Sequence, residues 1–191
     1  ALKRAHKLFA KRMSDPDGLA SARARLTADV DGRGVPQADV IIEAIFEDAD
    51  AKRELFERIE PQMKPGAILA TNTSSIPLET LATCLEDPGR LIGLHFFNPV
   101  AKLPLVEVVR AESSAPEPLA NGLAFTRQIG KLPLPCRSHP GFLVNRILAP
   151  YMAEALDIAA DAVAPVDIDR AALDFGMPVG PLAVIQSVGV E

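Results

Sequence analysis

Continuously apolar runs alternate with helical periodicity through the middle of this chain. ADVIIEAIF, residues 38–46, is almost entirely apolar, which is typical of a strand covered on both faces of a sheet. The next segment, EDADAKRELFERIEPQM, repeats apolar side chains at helical spacing and opens with acidic residues that suit a helix N-terminus. GAILATN, residues 66–72, then predicts a second buried strand.

The same alternation continues toward the carboxyl end. In TSSIPLETLATCL we expect Ser75 to cap a short helix, and RLIGLHFF, residues 90–97, predicts a third strand. Strands that alternate with helices in this way predict a parallel sheet joined by right-handed crossovers.

The strand predicted from PLVEVV, residues 104–109, follows after only a short turn. That turn is too short for a parallel crossover, so we expect this strand to run antiparallel to the one before it. PEPLANGLAFTRQIG predicts a helix that ends at Gly130, and KLPLPC predicts a last strand. Its two prolines place that strand at an edge of the sheet.

The two ends of the chain differ from this central pattern. Residues 1–13 predict a helix with Lys3, Lys7 and Lys11 on one face, which we expect to be solvated. Residues 14–37 are rich in Gly, Pro and Asp and predict loops with a short strand.

From residue 138 onward only helical patterns follow. FLVNRILAPYMAEALDIAADAV predicts a helix kinked near Pro150, and DIDRAALDFG predicts another closed by Gly176. We therefore predict an α/β fold followed by the start of an all-α domain.

Composition excludes several classes of protein. Hydrophobic residues make up 48% and charged residues 24%, which is globular rather than disordered. The net charge of −5 argues against nucleic acid as a partner. Neither a signal peptide nor an apolar run of about 18 residues is present, so we expect no membrane insertion. Cys84 and Cys136 lack metal-site or disulfide-framework spacing, so a reducing, cytoplasmic compartment is expected.

Familiar catalytic motifs are missing or incomplete. Gly32 and Gly34 begin a pattern like G-x-G-x-x-G, but Gln37 takes the third glycine position and the segment precedes a strand instead of following one. The hydrolase motif G-x-S-x-G does not occur. Tyr151 has Ala155, not lysine, four residues on, and the three histidines show no metal-ligand spacing. No metal site is therefore expected.

Two ionisable residues stand inside the strands of RLIGLHFFNPVAKLPLVEVV. His95 lies at the carboxyl end of a predicted strand, where open α/β sheets bind ligands. A lone histidine in an apolar run is most often a hydrogen-bonded core residue. Glu107, however, lies inside the next apolar strand, where an unpaired carboxylate is costly. A return of the chain through Asn98-Pro99 would pair the two as a base and its orienting carboxylate.

Other polar residues near strand ends have ordinary explanations as well as functional ones. Glu47 can begin a helix, Lys52 can be solvated, and Ser74 can serve in a turn. Asn145 stands inside a predicted helix although asparagine is a poor helix former, so we expect it to face the cleft between domains.

Taken together, these segments resemble a known family. The run GLHFFNPVAKLPLVEVV resembles the signature of the 3-hydroxyacyl-CoA dehydrogenases. Further blocks that resemble the family, in its order and spacing, are ADVIIEAIFEDADAKRELF, ATNTSSIPL, HPGFLVNRIL and FGMPVGPL. The resemblance covers nearly the whole chain from residue 38. The signature run is also similar to the dehydrogenase part of multifunctional fatty-acid oxidation proteins.

The resemblance implies a particular organisation. Residues 1–137 would form a Rossmann-type, doubly wound NAD-binding domain without its N-terminal strands and glycine-rich loop. We expect those elements upstream of this sequence. Residues 138–191 would begin a C-terminal helical domain. NAD would be the cofactor and an acyl-CoA the substrate, and the helical domain would mediate a homodimer or a multifunctional complex.

The resemblance also implies roles for individual residues. By motif position, His95 is the catalytic base and Glu107 orients it. Ser74 and Asn145 are placed at the substrate. The residues implied on the nicotinamide-ribose side of NAD are Glu47, Lys52, Ser74 and Asn98.

The activity implied is NAD-dependent oxidation of (S)-3-hydroxyacyl-CoA to 3-oxoacyl-CoA in fatty-acid β-oxidation. Two alternatives stay open on the sequence. One is a related β-hydroxyacid dehydrogenase with a non-CoA substrate. The other is a Rossmann-like domain retained for binding or assembly, against which the presence of His95, Glu107, Ser74 and Asn145 counts.

Overall fold

Five strands form one sheet in the computed structural model, which describes residues 2–188. The strands are β1 Val40–Glu43, β2 Ile68–Thr71, β3 Leu91–Phe96, β4 Leu105–Arg110 and β5 Leu132–Arg137. The α-helices are α1 Leu2–Arg12, α2 Pro16–Ala24, α3 Ala49–Ile59, α4 Leu78–Ala82, α5 Pro116–Gln128, α6 Val144–Ala160, α7 Pro165–Phe175 and α8 Pro181–Val188. Short 3-10 turns lie at residues 35–37, 60–62 and 88–90.

The strands lie in the sheet in the order in which they occur along the chain. β1, β2 and β3 are parallel, β4 is antiparallel to β3, and β5 is parallel to β4. Only residues 97–104 join β3 to β4, which is too little chain for a parallel crossover. The predicted antiparallel return is therefore confirmed.

Helices cover both faces of this sheet. Leu69 of β2 packs in the same cluster as Phe56 of α3, on the face covered by α3 and α4. Its neighbours Ile68 and Ala70 point to the opposite face and pack with Leu123 of α5. This alternation explains why the strand sequences are apolar at every position. The arrangement is that of a doubly wound α/β fold, which confirms the predicted fold class.

The prediction for residues 14–37 is wrong, since α2 occupies part of this segment and none of it forms a strand. The Asp15 carboxylate accepts a hydrogen bond from Gly18 N (2.7 Å), and Pro16 takes the first helical position. Aspartate and proline suggested a turn, yet the same two residue types also start helices.

Helix α4 begins differently from the sequence prediction. Leu78 N donates to Ser138 Oγ (2.9 Å), and that hydroxyl donates to Glu79 Oε2 (2.6 Å). Ser75 instead donates its backbone N–H to Glu47 (3.2 Å). The expectation that Ser75 caps α4 is therefore wrong, because the cap comes from a residue 60 positions away.

The last three helices pack against one another after β5. Gly176, at φ 110°, ends α7 as predicted, and Pro150 lies within α6. The Asp169 carboxylate on α7 accepts hydrogen bonds from Leu182 N (2.9 Å) and Ala183 N (3.1 Å), which docks the start of α8 on α7.

Among residues 2–188, no helix combines the length and the apolar character needed to cross a bilayer. Within the same residues, no group of three His, Cys, Asp or Glu side chains is arranged to hold a metal ion.

The close contact of β3 with β4 generates a stability prediction. A Cβ added at Gly93 would lie 2.7 Å from Val109 Cβ, an atom that cannot move without its backbone. We expect Gly93→Ala to lower the free energy of unfolding by about 1–3 kcal/mol, the usual cost of overpacking. Urea unfolding measures it, with Leu132→Ala at a 61% exposed position of β5 as the control. Equal stability of Gly93→Ala and the wild type would contradict this packing.

Candidate active site

His95 and Glu107 face each other across the antiparallel pair of strands. They are directly opposed in the register of β3 and β4, so their side chains lie on the same face of the sheet. His95 Nδ1 lies 2.6 Å from Glu107 Oε2. His95 is 6% exposed and Glu107 is fully buried. The pairing expected from the sequence is present.

The second oxygen of Glu107 binds the start of α6. Glu107 Oε1 accepts hydrogen bonds from Leu143 N (2.9 Å) and Val144 N (2.8 Å). These are N–H groups of the first turn, which the helix itself leaves without partners and which carry partial positive charge. Both carboxylate oxygens are therefore occupied, one by the imidazole and one by α6.

These contacts determine the charge of Glu107. Burial by itself would raise the pKa of the carboxyl group, since it disfavours the charged form. The hydrogen bonds from His95, Val144 N and Leu143 N outweigh that effect and leave the pKa below its ordinary value of 4.5. Glu107 is thus an ionised hydrogen-bond acceptor near neutral pH.

Two phenylalanine rings flank the imidazole. The ring centroids of Phe97 and Phe142 lie 4.6 and 5.6 Å from that of His95. Phe142 is buried and has φ of +46°, a left-handed conformation that costs a bulky residue about 1–2 kcal/mol. It immediately precedes the two N–H groups that bind Glu107. Sequence reasoning missed Phe142, although Pro140-Gly141 before it signals a turn.

A second carboxylate, Glu47, organises the loop after β2. Its Oε1 accepts hydrogen bonds from the Thr73 hydroxyl, Ser74 N (2.9 Å) and Ser75 N (3.2 Å). Burial would raise the pKa of Glu47, but these hydrogen bonds and the charge of Lys52 lower it to about 2. The predicted residues Glu47 and Ser74 are therefore neighbours in the structure.

Lys52 lies beneath Glu47 and is only 1% exposed. Its Nζ is 2.7 Å from Glu43 Oε1 and 3.3 Å from Glu47 Oε2. The expectation of a solvated lysine is wrong. Glu43 was missed although the signal was available, since a carboxylate inside the apolar run VIIEAIF is the same anomaly that identified Glu107.

Asn98 and Asn145 are the asparagines predicted at the site of the His95–Glu107 pair, hereafter the dyad. Asn98 is exposed in the turn after β3, and its peptide bond to Pro99 is cis. Asn145 follows directly after Val144, the residue whose N–H binds Glu107. Within residues 2–188, neither asparagine side chain makes a hydrogen bond. The structure places Asn145 next to a backbone N–H that binds Glu107, and it leaves Asn98 exposed in the turn after β3.

The residues after β1 and β2 offer groups that could bind one end of a dinucleotide. Glu47 and Ser74 offer partly exposed carboxylate and hydroxyl oxygens there, groups that suit ribose hydroxyls. The segment at Gly32 and Gly34 cannot cradle a phosphate in this conformation. The Asp29 carboxylate already accepts from Gly34 N (2.6 Å) and from the backbone N–H of Arg33 (2.9 Å).

Comparison with known proteins gives consistent matches over the whole chain. A family model described as "3-hydroxyacyl-CoA dehydrogenase, NAD binding domain" matches residues 1–139. A second, described as "3-hydroxyacyl-CoA dehydrogenase, C-terminal domain", matches residues 141–191. The fatty acid oxidation complex subunit alpha of Vibrio campbellii is 43% identical over 196 residues, covering 100% of this chain and 28% of that protein.

Solved structures show the same similarity. The 3-hydroxybutyryl-CoA dehydrogenase of Escherichia coli is 35% identical with a TM-score of 0.92, covering 98% of this chain and 41% of that one. FadB2 of M. tuberculosis is 33% identical with a TM-score of 0.90, covering 98% and 67%. The chain therefore spans only part of each of these proteins, and 28% of the curated relative.

The lowered pKa of Glu107 predicts how stability depends on pH. The stabilising ionised form is fully present above the ordinary pKa of 4.5 and is lost as pH falls through the lower folded-state pKa. We therefore expect Glu107→Gln to cost most stability near neutral pH and progressively less below about pH 4.5. Urea unfolding at a series of pH values checks this. The control is Glu117→Gln, at an exposed position of α5. A cost that is the same at all pH values would contradict it.

Proposed function

This chain belongs to the 3-hydroxyacyl-CoA dehydrogenase family, and we propose that it performs the NAD-dependent oxidation of (S)-3-hydroxyacyl-CoA to 3-oxoacyl-CoA in fatty-acid β-oxidation. The observation that carries the proposal is the 2.6 Å contact between His95 Nδ1 and Glu107 Oε2 at the carboxyl end of β3. Ligands of open α/β sheets collect at this edge. An imidazole held there by a buried carboxylate is suited to deprotonate an alcohol.

The ionised carboxylate selects the tautomer of the base. Glu107 can only accept hydrogen bonds, so the neutral His95 ring carries its proton on Nδ1. Nε2 is then free to accept the hydroxyl proton of the substrate. NAD, when bound, supplies the acceptor for the hydride that leaves the carbon bearing this hydroxyl group. As His95 becomes imidazolium, Glu107 stabilises the new positive charge.

The cofactor side of the site is assigned to the residues at the ends of β1, β2 and β3. We propose that Glu47, Ser74 and Asn98 lie along the nicotinamide ribose. Carboxylate, hydroxyl and amide groups can all hydrogen-bond to ribose hydroxyls, which supports the assignment. Lys52 is included through its ion pair with Glu47 (3.3 Å).

The substrate side joins two parts of the chain. We propose an NAD-binding domain at residues 1–137 and a helical domain that begins at residue 138, with the acyl-CoA between them. Ser74 from the first and Asn145 from the second would hold the substrate. Support comes from α6, which carries Asn145 and whose first N–H groups bind Glu107.

The state of the whole protein is a separate proposal. The alpha subunit matched in Vibrio campbellii is named for a fatty acid oxidation complex. We propose that this chain likewise works within a multifunctional complex or a homodimer formed through its helical segment. The cytoplasmic location expected from the sequence stays a prediction.

The dyad predicts a specific pattern of kinetic losses in the full-length protein. His95→Gln should lower kcat by about 10²–10⁴ because it removes the base, with little change in NAD affinity. Glu107→Gln should cause similar damage, since its amide N–H groups face Nδ1 and favour the wrong tautomer. The double variant should lose less than the product of the two, because the residues act as a unit.

Steady-state kinetics and calorimetric titration with NAD measure these effects. His6→Gln is the matched control, because it changes an imidazole on α1 and should leave kcat near the wild-type value. Near-normal turnover of His95→Gln would rule out this mechanism.

The nature of the substrate is tested by three matched compounds. The full-length protein should reduce NAD with (S)-3-hydroxybutyryl-CoA, prefer it to the R isomer, and act poorly on free 3-hydroxybutyrate. NADH absorbance measures each rate. Activity on free hydroxy acids alone would indicate the related β-hydroxyacid dehydrogenases. No activity on either, at saturating NAD, would indicate a domain that binds or assembles without catalysis.

A further inference from the structure

Glu43 is a buried ionisable residue that the mechanism above does not use. It lies at the carboxyl end of β1, is 3% exposed, and contacts Lys52 Nζ through its Oε1 (2.7 Å). Lys52 also contacts Glu47 Oε2 (3.3 Å). One ammonium group therefore lies between two carboxylates, of which Glu43 is buried and Glu47 is partly open to solvent.

Two hydrogen bonds hold Glu43 in addition to its contact with Lys52. Its Oε1 also accepts a hydrogen bond from Ile45 N (2.6 Å), and its Oε2 accepts one from Thr71 Oγ1 (2.7 Å). Thr71 is fully buried on β2 and directly opposite Glu43 in the parallel register. Because both oxygens are occupied and buried, Glu43 cannot contact a substrate, and it forms the buried end of the cluster.

Glu47 is the solvent-exposed end of the cluster. Its side chain is 36% exposed and lies on a loop, so solvent competes for its oxygens. Lys52 holds Oε2, which leaves Oε1 directed at the backbone N–H groups of Ser74 and Ser75 (2.9 and 3.2 Å). The orientation of Glu47 thus depends on where Lys52 Nζ lies, and Glu43 fixes that position.

We propose that Glu43 is a positioning residue that acts through Lys52 on Glu47, and through Glu47 on the loop that carries Ser74. The placement of Ser74 at the substrate rests on the proposed function, whereas the chain of contacts does not. The cluster has two carboxylates for one ammonium, so removing the charge of Glu43 leaves Glu47 as the only carboxylate partner of Lys52. Glu47 then moves toward Lys52 and releases the loop.

Hydrogen exchange of the full-length protein tests the positioning directly, without any assay of activity. Glu43→Gln keeps the size of the side chain and can still bond to Ile45 N and Thr71. We expect backbone exchange in peptides spanning residues 73–76 to become about 10-fold faster, as befits the loss of a charge-assisted hydrogen bond. Exchange in peptides spanning residues 105–110 of β4 should not change.

A further variant keeps the test decisive if Glu43→Gln folds poorly. Glu43→Asp retains the charge and should restore most of the protection. Unchanged exchange at residues 73–76, or equally faster exchange throughout the sheet, would overturn the proposal, because the first shows no coupling and the second a merely structural role.

Kinetics then connect the cluster to the reaction. Glu43→Gln should lower kcat/KM for (S)-3-hydroxybutyryl-CoA by about 10-fold through misplacement of Ser74. The pH dependence of kcat/KM should stay that of the wild type. Faster loop exchange in a protein whose wild type lacks this activity would refute the proposed function and uphold the positioning role. Faster exchange with unchanged kcat/KM in an active enzyme would overturn the link from Glu43 to Ser74.

Discussion

The carboxylate of Glu107 is the group on which the arrangement of this molecule depends most. Its two oxygens join the His95 imidazole on β3 to the first turn of α6, so the sheet and the helical segment meet at one buried charge. A buried carboxylate is tolerable only when its hydrogen-bonding capacity is filled. The His95 ring is therefore held in this orientation only when α6 is in place, which couples the proposed chemistry to the packing of the helices.

A similar arrangement occurs at β1, an edge strand of the sheet. The buried carboxylate of Glu43 ends this strand and fixes a group from the following helix, Lys52 of α3. In both cases the charge stabilises the fold only through specific partners, so the strands cannot shift without losing them. Two charged anchors thereby hold the strand ends that carry the proposed cofactor and substrate residues.

Local sequence signals predicted the elements correctly where the packing of side chains follows the periodicity of the sequence. The apolar runs predicted β1 to β4, and the short link at residues 97–104 predicted the antiparallel return. They failed at the starts of α2 and α4. Asp15 and Pro16 start a helix where turns were expected, because the same side chains satisfy free N–H groups in both structures. The cap of α4 comes from Ser138, far along the chain.

The sequence by itself determined the class of fold and the two members of the dyad. Both signals can be read from a single strand, because one is its apolar periodicity and the other is a carboxylate inside an apolar run. Only the tertiary structure decided which partners those charges have. The N–H groups at Glu107 come from 36 and 37 residues away, and Lys52 reaches Glu43 across 9 residues. Such contacts depend on how helices dock on the sheet, and no local pattern encodes that geometry.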